Sequence, residues 1–209
     1  MTWINKIAFN RGIRNESPNK ELAKELGDTE NSEGIHEISK YLYDKNKSIS
    51  SDCLAVLYTI GYTKPELIQD YVDDFLKLLE SKINRMVWGS MIALSTIAKL
   101  KSDYLYKKID LILKTMSEGT LITEVWGIQT LVNLSIDNVK HKNKLLPILF
   151  DYLEKCRPID FPKRVETILP VIERIKEIEM LDRIIEIKSA DLTDSQAKKL
   201  KTALKKSKR

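Results

Sequence analysis

Histidines and cysteines are few in this chain, and no motif gathers its acid–base, nucleophilic or metal-binding residues at a catalytic spacing. The two histidines, His36 and His141, stand 105 residues apart, and neither has a cysteine or carboxylate at the spacing of a metal site. Cys53 and Cys156 are the only cysteines, too few and too far apart for a disulfide framework or a zinc motif. Cys53 falls in an apolar run and is expected to pack as a small hydrophobe. Asp73-Asp74 and Asp191 with Asp194 are carboxylate pairs that helix surfaces and caps explain. No glycine-rich phosphate loop, Gly-x-Ser-x-Gly elbow or His-Glu-x-x-His motif occurs. The expectation is therefore no catalytic residue, no metal and no cofactor.

The elements must then carry the function. The chain has 209 residues, 43% hydrophobic and 31% charged, enough to bury a core under a solvated surface. Seven glycines and six prolines are too few for an all-β protein with many tight turns. No apolar run reaches the length of a membrane span, and the start, Met1-Thr2-Trp3-Ile4-Asn5-Lys6, is not a secretory signal. A cytoplasmic protein is the expectation. The net charge of +5 is unevenly placed. Lys198, Lys199, Lys201, Lys205, Lys206, Lys208 and Arg209 crowd the last twelve positions without an acid, leaving 28 basic against 30 acidic residues in 1–197. That basic tail offers a nucleic-acid contact, or it is a frayed, solubilising end.

A period of 37 residues organises the rest. Ile35, Ile38 and Leu42 recur as Val72, Phe75 and Leu79, as Ile109, Ile112 and Met116, and as Leu146, Leu149 and Leu153. The spacing i, i+3, i+7 is the buried stripe of an amphipathic helix. A second stripe keeps the period: Leu57, Ile60, Gly61; Leu94, Ile97, Ala98; Leu131, Leu134, Ser135; Ile168, Val171, Ile172. Its third member is small in three copies, which suits close helix approach. Two helical stripes per period, four times over, predict helical hairpins. First helices are expected near 33–44, 66–81, 103–117 and 141–156, and second helices near 50–62, 84–100, 121–136 and 160–176. Thr63 with Glu66 has capping-box spacing, and Pro147 and Pro170 should bend their helices. The division is an N-terminal helical cap over 1–32 (short helices near 2–10 and 17–26), four repeats over 33–176, C-terminal capping helices over 177–197 (helices near 178–188 and 193–206, the latter running into the tail), and the basic tail 198–209.

Leu145-Leu146-Pro147-Ile148-Leu149-Phe150-Asp151-Tyr152-Leu153 resembles the first helix of a HEAT repeat. Val87-Trp88-Gly89-Ser90-Met91-Ile92-Ala93-Leu94 and Glu124-Val125-Trp126-Gly127-Ile128-Gln129 resemble the start of its second helix. The chain is similar to HEAT/armadillo-like α-solenoids over 33–176, although 37 is shorter than the ~40–47 of such repeats. The resemblance implies an all-α, right-handed superhelix of about four helical hairpins with helical caps, its second helices lining a concave face.

The outward column of those helices reads Asp52, Ala55, Thr59, Tyr62; Gly89, Ile92, Thr96, Lys99; Trp126, Gln129, Asn133, Ile136; Lys163, Glu166, Pro170, Glu173. It lacks the Lys/Arg stripe that phosphate binding requires. Exposed Trp126, Ile92, Ile136 and Tyr62 suit a protein or peptide partner. The expected role is a non-enzymatic scaffold, with Trp126, Gln129, Asn133, Thr96 and Lys99 as binding residues. The alternative is a nucleic-acid binder or, by the same resemblance, a HEAT-like alkylpurine DNA glycosylase. Arg85, Trp88 and Lys82 would then make the contacts.

Overall fold

The burial pattern of a helical repeat protein follows the 37-residue period closely. The structure, a computed structural model, describes residues 2–207. Eleven of the twelve first-stripe residues are buried, with Ile109 half-buried. Burying each such aliphatic or aromatic side chain contributes about 1.5–3 kcal/mol relative to exposure. The described residues are helical throughout their regular elements and contain no strand. They divide into two compact units, one ending at Thr130 and one starting at Leu131.

The first unit contains α1 (Ser17–Asp28), α2 (Ser32–Lys40), α3 (Lys47–Gly61), α4 (Val72–Leu78), α5 (Asn84–Ile97), α6 (Ser102–Tyr106), α7 (Ile109–Glu118) and most of α8 (Leu121–Ser135). α2 packs on α3 and α4 on α5. Met116 of α7 sits where a β-carbon on Gly127 of α8 would stand. Second helices form a row of their own. α1 lies against α3 and α3 against α5, and Thr130 Oγ1 on α8 donates to Met91 Sδ on α5 at 3.9 Å. α1 thus takes the place of a second helix ahead of the first repeat. Asn31 and Asn46 cap α2 and α3, their side-chain oxygens accepting the N–H of Gly34 and Ser48.

Four expectations are corrected in this unit. The helix expected over 2–10 is a 3₁₀ turn, Trp3–Lys6, followed by turns. Its N–H groups go elsewhere: Ile4 to Glu37, Ala8 to Asn19 and Phe9 to Asp52. An N–H already taken by a distant carboxylate or amide is lost to a helix ladder. The helix expected over 66–81 begins as two 3₁₀ turns, Pro65–Leu67 and Gln69–Tyr71, before α4. The one expected over 103–117 breaks between α6 and α7. The capping box at Thr63 does not form, because Thr63 Oγ1 donates to the Ile60 carbonyl at 3.3 Å instead.

The second unit holds the end of α8, then α9 (Val139–Lys155), α10 (Phe161–Ile168), α11 (Ile175–Ser189) and α12 (Asp194–Ser207). α9 pairs with α10; α11 packs on α9 and α12 on α10. Asn138 caps α9. Pro147 lies inside α9 without ending it, whereas α10 gives way to a 3₁₀ turn at Leu169–Val171 around Pro170. Lys142 is buried with its ammonium between Glu173 and Glu177, at 2.8 and 3.1 Å. The basic C-terminal segment is helical through Ser207, with Leu200 and Ala203 buried. Lys208 and Arg209 lie outside the described residues.

Candidate functional site: an aromatic face on the second helices

In the first unit, aromatic side chains from three successive second helices come together. Tyr58 and Tyr62 are one turn apart on α3 and its C-terminal end, with ring centroids 6.1 Å apart and edge-on. Tyr58 meets Trp88 of α5 at 6.3 Å, and Tyr62 meets Trp126 of α8 at 5.8 Å. The second contact joins α3 to α8 although α5 lies between them in the row. Gly89 and Ile92 of α5, expected to point outward, are buried, Gly89 facing Leu54 and Tyr58 of α3. That corrects the expectation of an exposed Ile92. Asp52 and Ala55 are buried as well, because α3 is covered by α1 and α5 on its flanks as well as by α2 beneath. A helix enclosed on three sides has little outward surface left.

Glycine makes part of this approach possible. A β-carbon on Gly89 would stand 2.8 Å from Leu54 Cδ2 and 3.7 Å from Tyr58 Cε1. Tyr62 remains 50% exposed, and Trp126 and Trp88 are half-buried. The cluster is thus a paved surface with open edges.

An ion pair borders it. Arg85 at the start of α5 bonds Glu16 at 2.9 Å, both partly exposed. Burial raises the Tyr58 and Tyr62 phenols above their usual range, and the negative charge of Glu16 adds to the shift in both. Both phenols therefore stay protonated as hydrogen-bond donors across the physiological range. Next to the pair is a hollow of about 350 Å³ lined by Phe9, Gly12, Arg14, Glu16, Asp52 and Arg85. Gly12 turns there with φ +67°, in the left-handed region. Such an assembly offers ring faces and edges to apolar or cationic side chains, with charge of both signs at its border.

No family model and no curated protein matches this chain. Solved structures do. An engineered protein from the Northeast Structural Genomics Consortium aligns over 100% of this chain and 97% of its own, at 15% identity and TM-score 0.60. A designed armadillo repeat protein, solved in complex with the peptide (KR)4, aligns over 91% of this chain and 87% of its own, at 14% identity and TM-score 0.64. A further engineered protein from the same consortium covers 99% of this chain and 58% of its own, at 16% identity and TM-score 0.57. The chain has an armadillo/HEAT-like helical-repeat fold.

Within this armadillo/HEAT-like fold the residues singled out from sequence are placed as follows. Trp126 and Gln129 are half-buried on α8 in the first unit. Asn133, also half-buried, follows on α8 past the division at Thr130. Thr96, near the end of α5, donates its hydroxyl to the Ala93 carbonyl at 2.7 Å, and Lys99 beyond it is exposed. Of the residues expected for nucleic acid, Trp88 packs on Tyr58, Arg85 is held by Glu16, and Lys82 is exposed on the connection from α4 to α5. Tyr58 and Glu16 were not singled out. The available signal for Tyr58 was its i, i+4 spacing to Tyr62; nothing in the period pointed to Glu16. No group of three or more His, Cys, Asp or Glu able to hold a metal ion occurs among the described residues. No helix among them is long and apolar enough to cross a membrane.

Proposed function

We propose that this protein is a scaffold that binds a protein or peptide partner on the second-helix face of its first unit, over Trp126, Tyr62 and Trp88, with the buried Tyr58 packed against Tyr62 and Trp88. The observation that carries the reading is the Tyr62–Trp126 contact across α5, with both rings left partly open. Rigid, partly exposed aromatic side chains bury much area on binding at little entropic cost, and they dominate measured interface energies. Gln129, Thr96 and Lys99 belong to the proposal as polar neighbours on α8 and near the end of α5. Asn133 lies past the division between the units and is left out of it. The designed armadillo neighbour, which holds a peptide, lends support at the level of shared architecture. The reading puts the protein in the cytoplasm, where the thiols of Cys53 and Cys156 stay reduced.

The test is a peptide-display selection against the full chain, followed by affinity measurements on the winners. Trp126→Ala and Tyr62→Ala should each weaken binding by about tenfold or more. Selected peptides indifferent to both changes would remove this face from the function. Tight duplex-DNA binding lost in Arg85→Ala would replace the proposal with the nucleic-acid alternative.

A further inference from the structure

The second unit carries a surface of a different chemistry. α12 lies against α10, and along that seam the two helices and the preceding turn leave a groove of about 470 Å³. Its apolar part is aliphatic: Pro162 and Ala203 are buried, and Ile159 stands 66% exposed. Lys163, Lys198 and Lys199 line it too. Lys198, Lys199, Lys201 and Lys205 are all exposed on α12, whose one acid is Asp194 in its first turn. The carboxylates on the α10 side are already engaged. Glu166, which also lines the groove, is bound to Lys163 at 2.8 Å, and Asp160 to Arg157 at 2.7 Å. Lys198, Lys199 and Lys201 form no ion pair among the described residues. The groove thus presents unneutralised ammonium groups beside an aliphatic recess that holds an isoleucine in water.

We propose that the α10–α12 groove binds an acidic protein segment carrying a branched aliphatic side chain. That side chain enters between Ile159 and Pro162, and the flanking carboxylates meet Lys198 and Lys199. Charge complementarity selects the acid, because like charges in the segment would be repelled by the lysine row. The shape selects a peptide over other anions. Among the described residues, no aromatic ring lines the groove to stack a base, and no arginine lines it to grip a phosphate with two hydrogen bonds. An anionic membrane would require a band of apolar side chains projecting beside the lysines, whereas Pro162 and Ala203 are recessed and Ile159 alone of the groove's described aliphatic residues is exposed. The site shares no residue with the aromatic face of the first unit.

The probe is a fluorescein-labelled synthetic peptide of aspartates and glutamates around a central leucine, titrated with the full chain by anisotropy. Binding is expected, weakening as salt rises. The Lys198→Glu/Lys199→Glu double variant should lose about tenfold or more. Ile159→Ser, and replacement of the peptide's leucine by glycine, should each lose roughly fivefold to tenfold. These positions are exposed, so helical circular dichroism should be retained. Trp126→Ala should leave the titration unchanged, which separates this site from the proposed function. Failure to bind the peptide, or binding indifferent to these changes, overturns the proposal. So does tighter binding of a single-stranded oligonucleotide, or of phosphatidylserine-containing vesicles, that is lost in the double variant.

Discussion

Gly61 and Gly27 both sit in helices, yet the space beside them differs. A β-carbon on Gly61 would collide with Thr96 Oγ1 and stand 2.7 Å from Ile68 Cδ1. Beside Gly27 nothing lies within 4 Å. Gly61→Ala should therefore destabilise the first unit by about 1–3 kcal/mol through overpacking. Gly27→Ala should stabilise it by up to about 1 kcal/mol, since alanine holds a helix better. Urea unfolding of the two variants checks both signs. The need for a small residue at Gly61 was legible in the period, because Ala98 and Ser135 occupy the same place. The Tyr62–Trp126 contact was not legible. It joins helices that are not adjacent in their row, and a linear period carries no information on how closely such helices approach. The cysteines behave as their surroundings dictate. Cys53 is fully buried, and burial, reinforced by Asp52, Asp44 and Glu37, pushes its thiol well above the ordinary range. Cys156 is partly exposed. Iodoacetamide on the native protein should modify Cys156 first and reach Cys53 only through unfolding, as read by mass spectrometry.

At the scale of the element, caps and buried ions decide where helices begin. Asn46 Oδ1 accepts the Ser48 N–H at 3.0 Å, and Asn46→Ala should cost about 1 kcal/mol in urea unfolding. α11 starts over Glu177. Burial pushes its carboxyl up, but the N–H groups of Arg174 and Glu173 and the ammonium of Lys142 outweigh that and hold it below the usual value. A lowered folded-state pKa contributes stability above the unfolded value of about 4.3, and that contribution is lost as pH falls through the folded one. Glu177→Gln should therefore destabilise the second unit near neutral pH and lose less further stability on acidification than the wild type does. Urea unfolding followed by circular dichroism across the acid range would show this. The helices themselves were legible because their stripes are local. The N-terminal turn was not, since its N–H groups are claimed by Asn19, Glu37 and Asp52, and only the folded chain brings those side chains to it.

At the scale of the whole molecule, the tail decides how its charge can be tested. From composition alone, residues 198–209 are a removable basic appendage. In the fold they include Leu200 and Ala203, which are buried in the packing of α12 on α10. Truncation to 1–197 therefore removes core as well as charge, and the loss of a buried leucine alone costs about 2–5 kcal/mol. The tryptophans make that separable. Trp3, Trp88 and Trp126 all belong to the first unit, and residues 131–209 contain none. Tryptophan fluorescence thus follows the first unit, while far-UV circular dichroism follows both. Helical repeats are held mainly by their nearest neighbours, so damage at α12 should stay in the second unit. The truncated chain should lose part of its dichroism at lower urea than the full chain, with the fluorescence midpoint unmoved. Lys198→Glu/Lys199→Glu in the full chain should move neither transition. A fluorescence midpoint that falls with truncation would mean that the two units unfold as one.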